Sequence, residues 1–280
     1  MRFLIALLLF IPTVAFADIV IDSPTTEWTP LSWSMAGQAD YFDDQQTGLP
    51  EGDLVGSDLV GMNQDPLAYW RNDGTNWGFR VRVGASLPQP GTFDHVLLFG
   101  FDSNTDGALD GFFGVDNSGN PDRLRIWNTD GGLNTAPSNT GVGSSAMDYV
   151  QNSLNYNFSP VDGTIDPAAT SFDIDGDGNT DYFVSFLIPV ADLSFDLNSP
   201  VRFILATSTQ SNSINQDIGG LQGGLNSMVP WGTNGGFTDP IGVPEPSSVL
   251  LLALTGGLGF FIIRRRKRKD DKDVITQVHQ

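Results

Sequence analysis

The chain predicts an all-β fold: a single β-sandwich or jelly-roll ectodomain followed by one C-terminal transmembrane helix. Three observations carry this reading. Apolar and polar residues alternate with period two in several short runs, Asn, Asp and Gly clusters separate those runs, and no convincing amphipathic helix lies between the two hydrophobic ends.

The first element is an export signal. Met1-Arg2 supply a positive start, Phe3 to Val14 an apolar run interrupted by Pro12, and Ala15-Phe16-Ala17 a small-x-small pattern for signal peptidase. Residues 1–17 are therefore read as a signal peptide, with the mature chain beginning at Asp18. The ectodomain is assigned to 18–218, a length that suits one sizeable core. The chain has no cysteine, so disulfides cannot stabilise it in an oxidising compartment.

Within the ectodomain, Leu67 to Trp70 pairs with a second strand across Asn72-Asp73-Gly74, a hairpin turn. In that second strand Trp77, Phe79, Val81 and Val83 alternate with Gly78, Arg80 and Arg82, the pattern of a half-buried strand. His95 to Phe101, Phe112 to Val115, Leu124 to Trp127, Tyr182 to Ile188 and Pro200 to Ala206 have strand compositions. Residues 129–145 read as a long loop, Pro189 to Leu193 as at most one helical turn, and 219–242 as a Gly-rich linker.

Between the signal and the tail the charge is one-sided. Six arginines face 29 acidic residues, a net charge of −23, which repels nucleic acid and attracts cations. The acids are clustered. Asp102, Asn104, Asp106 and Asp110 surround Gly107, and Asp173, Asp175, Asp177 and Asp181 surround Gly178. In each set, oxygen ligands stand at relative positions 1, 3, 5 and 9 with glycine at 6. A backbone coiling round a hard cation presents alternate side chains inward, and the glycine takes the turn that a Cβ would block. Without metal, carboxylates about 4 Å apart repel by ~4 kcal/mol per pair at an effective dielectric near 20. The bidentate glutamate that would close an EF-hand is replaced by Phe113 and Val184, and strands rather than helices flank both loops. These loops resemble the calcium loops of dockerin and thrombospondin type 3 repeats. The cofactor expected is structural calcium, held weakly at about 10⁻⁴ to 10⁻³ M. Turn formation alone would also favour these residue types.

Trp127 shares a strand face with Arg123 and Arg125, opposite Leu124 and Ile126. That placement allows either edge packing or a platform for a sugar ring or acidic polysaccharide. Catalysis has little support: His95 is the only histidine before the tail, and no nucleophile elbow or metalloprotease helix occurs. The chain is read as a non-enzyme, although a glycosidase-type carboxylate pair needs only spatial proximity and stays open.

The C-terminal end is the most specific feature. Val243-Pro244-Glu245-Pro246 holds the backbone extended, 247–263 is uncharged and apolar, and Arg264-Arg265-Arg266-Lys267-Arg268-Lys269 follows. The run from Pro246 spans about 27 Å as a helix at ~1.5 Å per residue, enough for a thin bilayer. The cations would stay cytoplasmic, leaving everything before Pro244 outside. Residues 270–280 add a polar cytoplasmic tail.

This tripartite segment, 243–269, resembles the PEP-CTERM sorting signal of Gram-negative bacteria. The resemblance implies transient anchoring in the inner membrane, cleavage near Pro244 by exosortase, and release toward the cell surface or extracellular matrix. More loosely, the acidic turn, the strand Tyr182 to Pro189, the short turn at Ala191-Asp192-Leu193 and the strand Val201 to Ala206 resemble the sandwiches of family-nine carbohydrate-binding modules and DOMON domains. Three functions follow as expectations. The first is a calcium-stabilised structural or adhesive protein of exopolysaccharide or biofilm, the second a carbohydrate-binding module for extracellular polysaccharide, and the third a secreted hydrolase.

Overall fold

The computed structural model describes residues 17–33, 40, 43–56, 65–86, 91–193, 195, 199–221 and 224–242. These lie within one compact unit, Phe16–Gly242. The signal peptide except Ala17, the sorting motif, the membrane span and the basic cluster fall outside the described residues. Among the described ones, no helix is long and apolar enough to cross a membrane.

Ten strands form among these residues, most of them from alternating apolar runs. They are β1 (Thr29–Pro30), β2 (Ala68–Asn72), β3 (Asn76–Val83), β4 (Val96–Asp102), β5 (Gly111–Asp116), β6 (Arg123–Thr129), β7 (Val142–Val150), β8 (Tyr156–Pro160), β9 (Tyr182–Pro189) and β10 (Arg202–Ser208). Two antiparallel sheets result, ordered β1-β2-β3-β9-β8 and β10-β4-β5-β6-β7. The expected hairpin at 72–76 forms. Asp73 Oδ1 there accepts the Thr75 and Asn76 N–H groups at 2.8 and 2.7 Å, while Gly74 turns at φ +86°.

The sheets meet through rings. Phe79 of β3 lies 4.6 Å from Phe99 of β4, 4.8 Å from Phe113 of β5 and 5.6 Å from Phe203 of β10, all four side chains fully buried. Removing each such ring from water contributes roughly 1.5–3 kcal/mol, so this layer supplies much of the driving force for closing the sheets on each other.

The outer faces are covered too, which the alternation alone did not indicate. Arg80 and Arg82, on the outer phase of β3, are fully buried. Arg80 donates to the carbonyls of Ser23 and Ile21, each at 2.8 Å, and lies between the rings of Trp28 and Phe183. Burial pulls its guanidinium down to about 10. The segment 19–28 therefore roofs the first sheet, fastened by an arginine that consumes its loose carbonyls.

On the second sheet, Leu98, Phe112, Trp127 and Ile204 pack with Ile218, Leu221, Trp231 and Phe237. Residues 219–242 thus differ from the linker expected of them. Their spaced apolar side chains fit between the outer-phase residues of β4, β5, β6 and β10, and Ile241 bridges Val201. The polar strand β7 also departs from the long loop expected over 129–145. It is held by backbone pairing to β6, with bulges near Trp127, and buries little of itself.

Candidate metal centres

The first acidic loop does not gather its carboxylates. Asp102 closes β4, opposite Arg202 in register, and Arg202 Nε and Nη2 donate to its Oδ2 at 2.9 and 2.8 Å. Gly107 N–H donates to the same oxygen, and Gly107 takes φ +97°. Asp110 Oδ2 instead accepts the Ser103 N–H and hydroxyl, while Asn104 and Asp106 accept N–H groups two residues on. Arg202 thus neutralises one oxygen of Asp102, while Oδ1 is buried without a hydrogen-bond partner among the described residues.

The second loop keeps a cage. Carboxylate oxygens of Asp173, Asp175 and Asp177 lie within 4.8 Å of one another. Asp173 accepts the Gly176 and Gly178 N–H groups at 2.8 and 3.1 Å, with both glycines at positive φ. Asp175 Oδ2 is buried without a hydrogen-bond partner among the described residues. Burial, and then the neighbouring Asp173 and Asp177, push Asp175 up to about 7 against the pull of the Asp177 N–H. The fourth expected ligand, Asp181, is turned away to Arg82, which binds it through Nε at 2.7 Å and Nη2 at 2.6 Å. Burial raises Asp181 to about 6, with Arg82 opposing the rise.

A third acidic group was not legible as a motif. Asp44, Asp53 and Asp217 also bring carboxylate oxygens within 4.8 Å of one another. Burial chiefly pushes Asp53 up to about 7, with the charges of Asp44, Asp43 and Asp175 adding to it and the Asp43 N–H opposing. Asp217 is raised well above the usual carboxylate range by burial and then by Asp40 and Asp44. Positions 44, 53 and 217 lie too far apart in sequence for spacing to reveal them.

These shifts set a pH dependence. Asp53 and Asp175 titrate near 7 folded but near 3.8 unfolded, so between those values the native state binds the extra protons. Their contribution is full below pH 4 and is lost as pH rises through 7, on the order of 2–4 kcal/mol for the pair. In chelator, thermal melts should show a lower transition at pH 8 than at pH 5. Millimolar calcium, replacing the protons, should flatten that difference, and an identical slope with calcium would count against metal binding.

The proposed sugar platform is corrected by the structure. Trp127 is 2% exposed, packed in a cluster with Ile218, Leu221, Trp231 and Phe237. Arg125 pairs with Asp116 at 2.6 Å and Asp148 at 3.2 Å, and Arg123 is half-buried, its carbonyl accepting from Gln151. His95 is buried with Nδ1 2.7 Å from Glu51 Oε1 and its ring against Phe93. That position braces 50–52 against β4.

A pairing holds the last described residues. Val201 N–H and Ile241 N–H donate to each other's carbonyls at 3.0 and 2.8 Å, and Pro244 follows three residues after Ile241. A protein-family model described as the PEP-CTERM protein-sorting motif matches residues 242–267. No curated protein and no solved structure matches the chain. The loose likeness to carbohydrate-binding modules and DOMON domains finds no support in these comparisons.

Proposed function

We propose that this chain is an exported exosortase substrate whose two-sheet sandwich serves as a non-catalytic structural or adhesive component of extracellular polymer, stabilised by calcium at Asp173, Asp175 and Asp177. The observation that carries the export reading is the sorting motif at 242–267, set immediately after Ile241, the last paired residue among the described ones. The motif implies processing by exosortase after an anchored step at the membrane. The acidic surface and the carboxylate cage support a calcium-rich external setting. A buried His95 beside Glu51 supports a structural role for the one histidine of the domain. Burial of Trp127 removes the feature that favoured sugar binding through that residue.

Mass spectrometry of the exported pool provides the test. Its C-terminus should fall near Pro244, with the span 247–263 and the basic cluster absent. Recovery of the intact tail in that pool would overturn the reading.

A further inference from the structure

Two backbone segments meet at a seam between the sheets. Residues 53–55 are fastened to the first sheet: Gly84 N–H donates to the Asp53 carbonyl at 3.0 Å, Val55 N–H donates to the Arg82 carbonyl at 3.2 Å, and Leu54 bridges Val83. Residues 216–219 are fastened to β10 of the second sheet. There Thr207 N–H donates to the Asp217 carbonyl at 3.0 Å and Gly219 N–H to the Leu205 carbonyl at 3.1 Å. The two segments touch where Leu54 N–H donates to Asp217 Oδ2 at 2.7 Å.

At this contact the carboxylates of Asp44, Asp53 and Asp217 converge. Asp53 is fully buried; its Oδ2 accepts the Asp43 N–H at 3.0 Å, while Oδ1 has no hydrogen-bond partner among the described residues. An unpartnered buried carboxylate oxygen is costly and calls for a counter-charge. Four arginines are engaged elsewhere, Arg82 by Asp65 and Asp181, Arg202 by Asp102, Arg125 by Asp116 and Asp148, and Arg71 by Glu27. Asp217 spends one lone pair of each oxygen on Leu54 and Ile218 N–H groups and keeps the others. Three oxygens within 4.8 Å of one another lie no more than about 2.8 Å from a common point, close to the roughly 2.3–2.6 Å bond length of calcium, and a purely oxygen donor set selects a hard cation.

We propose that Asp44, Asp53 and Asp217 bind a calcium ion that joins the two sheets at this seam. The site uses a different set of carboxylates from the cage at 173–177, although the charge of Asp175 reaches Asp53. A cation here ties 44–53, carried by the first sheet, to Asp217, carried by the second.

The test measures calcium binding to the full chain in detergent micelles by equilibrium dialysis, with four proteins compared: wild type, Asp53→Asn, Asp44→Asn and Asp177→Asn. Asp44→Asn and Asp53→Asn should each weaken one class of site by about tenfold or more, as expected on removing a charged ligand, and Asp177→Asn should leave that class in place. In chelator, Asp53→Asn should melt no lower than wild type, because neutralising it relieves repulsion. Should Asp53→Asn fail to fold, the half-buried Asp44→Asn decides alone. Binding by Asp44→Asn equal to wild type in number and affinity would overturn the proposal, as would loss of all binding in Asp177→Asn. Failure of the loop reading alone would appear as an unchanged Asp177→Asn beside a weakened Asp44→Asn.

Discussion

Replacing Arg82 by methionine should destabilise the protein by about 3–5 kcal/mol, the usual effect of removing one partner from a buried ion network. Arg82 is fully buried and holds two buried carboxylates, Asp181 through Nε and Nη2 and Asp65 through Nη1 at 3.3 Å, while Nη2 also donates to the Ser171 carbonyl at 2.7 Å. Methionine fills most of the stem volume but leaves both acids without a counter-charge. Asp65 still accepts the Thr170 N–H at 2.9 Å, whereas Asp181 loses both of its guanidinium contacts. At ~2–4 °C per kcal/mol for a domain of this size, the melting transition should fall by roughly 6–20 °C. Adding Asp181→Asn to Arg82→Met should recover part of the loss, since the double variant no longer buries that charge. The same change should weaken the calcium binding proposed at 173–177. Asp181 Oδ2 also accepts the Ile174 N–H at 3.1 Å, so Arg82 fixes the base of the loop that carries the cage. A loss under about 1 kcal/mol would mean the network is solvated and does not act as a buried unit.

How far the sequence revealed this arrangement depended on where the physical signal was written. The strands β3, β4, β9 and β10 were legible because Val, Ile, Leu and Phe at alternate positions meet other side chains of the same kind across the interior. β7 was not, because Ser144, Ser145, Ala146 and Asp148 carry no apolar alternation and the strand is held by its ladder to β6. Arg80 and Arg82 read as the open face of a strand, and only their long-range partners, Ser23, Ile21 and Asp181, show that the face is roofed. The same lesson applies to the acids. The local grammar of 173–181 foresaw three clustered carboxylates but could not show that the fourth, Asp181, answers to an arginine 99 positions away. In 102–110 a single arginine, Arg202, pairs with one oxygen of the leading acid, Asp102. Spacing records what a loop can do by itself, whereas counter-charges arrive through the fold.

Trp231→Ala should be the second large effect, costing about 3–5 kcal/mol as a buried Trp truncation, and it separates a docked C-terminal segment from a free linker. Trp231 is fully buried; its indole N–H donates to Thr140 Oγ1 at 3.1 Å, its backbone N–H to the Thr135 carbonyl at 2.8 Å, and its ring stands 6.4 Å from Phe237. Gly236 lies so close that a Cβ there would meet the ring at 2.7 Å. Phe237 in turn carries the Arg202 guanidinium 4.2 Å above its ring, and Thr238 N–H donates to the Phe203 carbonyl at 2.7 Å. The segment therefore covers both the outer face of the second sheet and the open edge of β10, a place where an unpaired strand would invite association with other chains. Truncating Trp231 should lower the unfolding midpoint in urea without a matching change elsewhere. It should also make 219–242 the first site cut in limited proteolysis of the full chain in detergent. A free linker predicts neither outcome: the midpoint would not move and cleavage there would already be fast in wild type. Because Ile241 is paired to Val201 and the sorting motif starts at 242, loosening this segment should also ease access of exosortase to the motif. Processing of Trp231→Ala should then be at least as complete as that of wild type even as the released domain becomes less stable.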